Sequence, residues 1–260
     1  MARGWVILLA LFGLLVAGEC SSRAWTLARK AVPELRRADL ELTAGQGAAL
    51  GLLGGFRPLI ADLTWIRGYI LWERKDRGSE AHLRVACLLD PQSNTFWEQR
   101  ANMVGLDMAH WEVRARGGRS VPIPIQETIF KRYAQKALDG IEEGVPVVRN
   151  PGSLLALGGY LAETKLKDPL IGADYYLRSY RKAPFPWYAP YFHARLLKDG
   201  GKVREAYVFL RPVWEKELSK KPDGSPLELD FLRELERTLG VPMKERIPTQ
   251  TFESPFPSTK

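Results

Sequence analysis

Cysteine and histidine are scarce in this sequence. There are two cysteines and three histidines in 260 residues, and none of them cluster. Cys20 ends the apolar N-terminal segment and Cys87 falls inside a helical stretch, where a thiol is usually a small core residue, so a disulfide between them is not expected. His82 and Cys87 are five positions apart and do not share a helix face. A structural zinc site needs several such ligands at short spacings, so none is expected. No CxxCH haem-attachment motif occurs. The strings GxxxxGK[ST], HExxH and GxSxG are missing, as is a GxGxxG following a strand pattern. Phosphate-loop, metalloprotease, serine-hydrolase and dinucleotide chemistry therefore have no support, and neither a cofactor nor a metal is expected. The doublets Gly54-Gly55, Gly117-Gly118 and Gly158-Gly159 read as hinges or close helix packing. Asp107 and the pair Glu142-Glu143 read as solvated helix positions rather than an acid–base pair. His193 reads as a packed histidine.

One uncharged run is also strongly apolar. It extends from Gly4 to Gly18 in MARGWVILLALFGLLVAGEC, after the single charge of Arg3. It is shorter than the ~20 residues of a spanning helix and matches the apolar core of a secretory signal or a signal anchor. Small residues at Gly18 and Cys20, or at Ser22 and Ala24, offer weak cleavage positions. LVAGEC has one residue too many for a lipoprotein box. Residues 1–20 are therefore expected to be an uncleaved anchor, placing the rest at the inner membrane on the periplasmic side; cleavage would release it to the periplasm. The basic flank of Arg23, Arg29, Lys30, Arg36 and Arg37 opposes export under the positive-inside rule.

Composition beyond that segment is ordinary for a globular protein, with 45% hydrophobic and 26% charged residues. Eight Trp, nine Tyr and ten Phe can furnish a core. The net charge of +8 favours anionic surfaces, but the basic residues are dispersed, which makes nucleic acid an improbable partner.

The remaining pattern is helical. Residues 21–55 begin helix-compatible and pass into the Ala/Gly-rich hinge TAGQGAALGLLGG. In FRPLIADLTWIRGYILWERKD, Leu59, Leu63, Ile66, Ile70 and Leu71 recur at three- and four-residue steps, which predicts a helix. Pro58 suits its first turn and Asp62 its positive end. Ser79 is expected to cap a second helix, EAHLRVACLLD, which Pro91 ends. Proline recurs at Pro91, Pro151 and Pro184. The last two are 33 residues apart and the first two 60 apart. The excess is assigned to an inserted loop at 114–125, RARGGRSVPIPI. A further pair is YFHARLLKDGG with KVREAYVFLRPVWEKEL. Ser225 with Glu228 and a terminal Gly240 frame a capping helix over 225–240. Residues 241–260 read as a proline-rich extended tail.

These spacings resemble the tetratricopeptide repeat family, which places about 34 residues in each helix pair. Ala194, Leu197, Gly201 and Ala206 fall at that family's small, large, turn-Gly and small positions. Leu83, Ala86 and Pro91 match its second helix, Trp97 its Trp position and Ala101 its Gly/Ala position. Pro190 stands where the family has Trp, and the third unit from Pro151 has the length without the full pattern. The stretch LLGGFRPLIADLTWIRGYILWE is also similar to membrane-tethered bacterial repeat proteins. The resemblance implies an all-α, right-handed α-solenoid of three to four helix hairpins over 56–240. It further implies a concave groove carrying Glu98, Asn102, Tyr191, Arg195 and Lys198. Such a groove suits an extended or acidic peptide, or a subunit of a membrane complex. A second candidate surface is basic: Arg114, Arg116, Arg119, Lys131 and Arg132. The expected role is a non-enzymatic adaptor of the cell envelope. The alternatives are a basic-surface binder of anionic lipid or nucleic acid, and a helical subunit of an enzyme complex.

Overall fold

Proline, glycine and capping residues mark many of the helix boundaries in a computed structural model that describes residues 57–220 and 225–247. The anchor expected at 1–20, the linker and hinge expected at 21–55, and Cys20 lie outside these residues. The described part is all-helical, with no strand. Helix α1 spans Arg57–Glu73 and α2 spans Ser79–Leu89. Helix α3 (Asn94–Asn102) runs through a π-helical turn, Met103–Met108, into α4 (Ala109–Ala115). Helix α5 is Ile123–Gly144. Helix α6 (Pro151–Leu161) continues into a second π-helical turn, Ala162–Leu166. Then follow α7 (Pro169–Tyr180), α8 (Ala189–Asp199), α9 (Val203–Lys216) and α10 (Pro226–Thr238).

Each helix packs on its neighbours in sequence. α1 lies on α2 and α2 on α3. α5 folds back on α3 and its π turn, and α6 packs on both α5 and α3. α7 then lies on α6, α8 on α7, α9 on α8 and α10 on α9. Small residues permit the close approaches. Ala61, Ala86, Ala194 and Ala206 are fully buried. At the α6–α7 contact, a Cβ on Gly158 would lie 2.6 Å from the Tyr175 ring, and one on Gly159 would lie 2.6 Å from Tyr176. That doublet is a packing device, not a hinge. Trp97 is buried in the first core, and its indole N–H donates to the Pro91 carbonyl at 2.9 Å. Two large apolar cores result, with a smaller cluster of Ala109, Val113 and Ile129 between α4 and α5, and α6 and α7 contribute to both large ones. Leu154, Leu155 and Tyr175 face the first core, whereas Ala156 and Tyr176 face the second.

Several boundaries differ from those expected. The predicted loop at 114–125 is narrower. α4 reaches Ala115, a 3₁₀ turn occupies Gly118–Ser120 and α5 begins at Ile123. The extra length between Pro91 and Pro151 goes into long helices instead. Pro151 opens α6 at its first turn, where a missing N–H costs nothing. Ser79 does not cap α2. Gly78 holds that position, and Ser79 is buried inside the first turn. Ser225 does not cap α10 through its side chain; it adopts a left-handed conformation with φ 48°. Gly240, at φ 64°, does end α10, and the next amide, Val241, donates to the Glu236 carbonyl at 3.0 Å. The start of the expected extended tail folds back. Ile247 is buried in the second core, and its amide donates to Glu236 at 2.9 Å. Among the described residues, no helix is long and apolar enough to cross a membrane.

The apolar stripe of α1 is the largest departure. The helix forms, but it buries Ala61, Thr64 and Gly68. Leu59, Leu63, Ile66 and Ile70 stay exposed.

Candidate functional site

A groove of about 540 Å³ opens between α3, α6, α7 and α8. Its walls are aligned by a clasp at the helix starts. Asn94 opens α3, and its amide donates to the Asn150 carbonyl at 2.6 Å. The Asn150 N–H donates back to the Asn94 side chain at 2.9 Å. Since Asn150 immediately precedes α6, the clasp sets α3 and α6 side by side from their first turns. The Ser93 side chain accepts the Phe96 amide and caps α3. One turn further on, Ser153 of α6 donates to Glu98 of α3 at 2.6 Å, which fixes the carboxylate at the groove wall.

Glu98 and Asn102 line the groove from α3, Ser153 and Tyr160 from α6, and Glu163 from the following π turn. Tyr176 reaches in from α7 because Gly159 leaves room for its ring. Tyr188 and α8 close the far wall with Phe192 and Arg195. The rings of Tyr176, Tyr188 and Phe192 form one cluster, with centroids 5.2–6.4 Å apart. Burial pushes the Tyr176 hydroxyl well above the ordinary phenol range, and the Glu163 charge adds to this. Burial, then the Glu98 charge, also raises Tyr188. Both stay protonated and can donate hydrogen bonds at neutral pH. Arg195 stacks over Phe192 at 4.5 Å and is ion-paired with Glu163.

Of the five groove residues expected from the sequence, Glu98, Asn102 and Arg195 line this cavity. Tyr191 and Lys198 do not. Tyr191 packs edge-on against Phe231 of α10 at 5.5 Å, and Lys198 is ion-paired with Glu234 of α10. The physical reason is that α10 lies against this side of α8 and engages both residues. Ser153, Tyr160, Tyr176, Tyr188 and Phe192 were not anticipated. The Tyr160–Tyr176 pair lies in the third hairpin, whose repeat pattern is weak. The signal that existed was Gly158-Gly159 opposite Tyr175-Tyr176.

The basic surface is organised around an acid. Glu112, 4% exposed, accepts from Arg116 at 2.7 Å, Arg132 at 2.6 Å and the Tyr133 hydroxyl at 2.9 Å, with Arg77 at 3.7 Å. Burial alone would raise its pKa. The hydrogen bonds from Arg132 and Tyr133, with the Arg132 and Arg116 charges, outweigh that and leave it below the usual carboxylate range. Arg116 and Arg132 are thus engaged, whereas Arg114, Arg119 and Lys131 are exposed. The remaining polar candidates have structural partners. Glu142 takes both terminal nitrogens of Arg178 at 2.7 Å, and Glu143 lies 3.3 Å from Arg84 and 3.6 Å from Arg100. Both are ion-pair members rather than merely solvated positions. Asp107 accepts the Trp72 indole at 3.2 Å. His193 is buried, donates to the Ala173 carbonyl at 2.7 Å and meets Phe209 edge-on, as a packed histidine does. Cys87 is buried and free, its thiol pushed up to about 12 chiefly by burial. Among the described residues, no group of three or more His, Cys, Asp or Glu could hold a metal ion.

No known family profile matches this chain. No curated protein and no solved structure matches it either.

Proposed function

We propose that this chain is a non-enzymatic binding scaffold. In this reading the packed helices are a right-handed α-solenoid of tetratricopeptide-like hairpins, α1–α2, α3–α5, α6–α7 and α8–α9, closed by α10. Residues 1–20 tether it to a membrane, and the groove on the first helices holds an extended segment of a partner protein. The observation that carries the reading is the groove itself. It is a continuous concavity shared by three hairpins, with aromatic rings for apolar contact and fixed polar groups for orientation. Glu98 and Glu163 oppose the single cation Arg195, which Glu163 already engages. A partner segment offering hydrogen-bond donors or a cationic side chain therefore suits the groove better than an acidic one, because a second anion beside these carboxylates meets like charge.

The test places a photo-crosslinking amino acid at Tyr160, in the groove and 43% exposed, or at Val208 on α9, 65% exposed. The expected outcome is one discrete adduct in native membranes from position 160 and none from 208, with the adduct lost in Glu98→Gln/Asn102→Ala. Equal capture at both positions would remove the reading.

A second reading has one supporting observation. Ile123 and Ile125, 70% and 45% exposed, lie at the start of α5 near the exposed cations Arg119 and Lys131 in sequence. Apolar tips beside basic side chains suit an anionic lipid surface. Sedimentation with anionic but not neutral vesicles, lost in Ile123→Ser/Ile125→Ser, would favour it.

A further inference from the structure

The outer face of α1 is apolar along its length. Leu59, Leu63, Ile66 and Ile70, at steps of four, three and four, are 53%, 58%, 47% and 42% exposed. The opposite face is well used. Ala61, Thr64 and Gly68 are buried, with Gly68 against Leu83 of α2, while Trp65 stacks on Phe96 and Trp72 meets Asp107. In each later hairpin, the first helix lies between its own second helix and the second helix before it. α3 touches α2 and α5, α6 touches α5 and α7, and α8 touches α7 and α9. For α1 no earlier helix among the described residues fills the preceding position, and the aliphatic stripe is the face left open. A terminal unit of a helical stack needs a cover with a polar outer side.

We propose that residues 33–42 of the same chain, PELRRADLEL, occupy this position as a helix antiparallel to α1. The inference rests on the hairpin-stack reading above. Pro33 suits a first helical position, and Glu34 suits the positive end of the dipole. Leu35, Ala38 and Leu42 recur at three- and four-residue steps and give one narrow apolar face, with Arg36, Arg37 and Glu41 on the other side. From Leu35 to Leu42 the apolar face spans about 10 Å, and the stripe from Leu59 to Ile70 spans about 16 Å, so the segment covers most but not all of it. The 14 residues 43–56 join the two, and their five glycines let the chain reverse direction. The stripe and its cover are thus matched in period and lie within reach of each other, whereas a bilayer would require no such match.

The test uses the full chain in detergent, with Cys20→Ser; Cys87 is buried and its thiol is unreactive. Leu63→Cys should react with an aqueous maleimide about tenfold more slowly than Val208→Cys, as expected for a site that must open locally. Adding Leu35→Asp/Ala38→Asp should raise the Leu63→Cys rate to that of Val208→Cys. Mild oxidation should join Ala38→Cys to Leu63→Cys within one chain, and should not join Ala38→Cys to Val208→Cys. Three results would overturn the proposal. The first is labelling of Leu63→Cys as fast as Val208→Cys. The second is protection that grows with protein concentration and yields disulfides between chains, which assigns the face to a second copy. The third is protection found only in lipid vesicles, which assigns it to the bilayer. None of these touches the groove crosslink at Tyr160, so the two readings fail separately.

Discussion

Glu112 shows how one side chain can be mistaken from sequence. The arginines around it read as a basic surface, yet two of them complete a buried carboxylate. Its folded-state pKa lies below the ordinary value. Its stabilisation is therefore complete above about pH 4.5 and is lost as pH falls through the folded-state value. Glu112→Gln should lower stability at neutral pH by about 1–3 kcal/mol. The figure is kept modest because the Arg116 and Arg132 side chains are 53% and 59% exposed and water screens them. Thermal melts of the two proteins from pH 7 to pH 3 should converge at the acid end; parallel curves would disprove the assignment. Other residues were legible because their chemistry has one solution. A small residue such as Ala194 or Ala206 at a helix contact must be buried, and His193 on an apolar face needed only one carbonyl. Lys198 and Tyr191 were not legible, because nothing local reveals that α10 lies over them.

Helices were legible at the scale of elements, but their faces were less so. The period of α1 was read correctly, but it marks the stripe that remains open, because periodicity reports apolar spacing and not which side a neighbour takes. The two π turns gave no sequence signal. Gly105 in the first is 3.0 Å, measured from a Cβ it would carry, from Ala137 and Leu161, so the widened turn sits at a tight three-way contact. α9 contains a different irregularity, Pro212 inside the helix and exposed. Proline removes an intrahelical hydrogen bond and crowds the preceding turn, while restricting the unfolded chain. Pro212→Ala should raise stability by about 1–2 kcal/mol. Denaturant titration reads this as a higher midpoint at unchanged slope. A lower midpoint would mean that the helix is bent at Pro212 for a packing reason.

At the scale of the whole molecule, the question is whether the two cores act as one. α6 and α7 contribute adjacent residues to both, so loss of packing on one side withdraws support from the other. Leu235, fully buried in the C-terminal core, and Ile141, fully buried in the N-terminal one, test this. Each replacement by alanine should cost about 2–5 kcal/mol. In each variant, circular dichroism and tryptophan fluorescence should report a single coincident transition. An early partial transition in Leu235→Ala would show that α8–α10 unfold alone. The groove spans this junction, with Glu98 and Asn102 on one side and Phe192 and Arg195 on the other. A ligand seated there would tie the halves together and raise the common midpoint.

The position of α10 has a consequence for assembly. Head-to-tail growth of identical subunits requires each copy to present a donor end and a matching acceptor end. Here one side of α8 is already covered by α10, the last of the described α-helices, with Phe231 and Glu234 engaging Tyr191 and Lys198. Head-to-tail stacking of copies through this side of α8 is thereby blocked unless α10 first moves away.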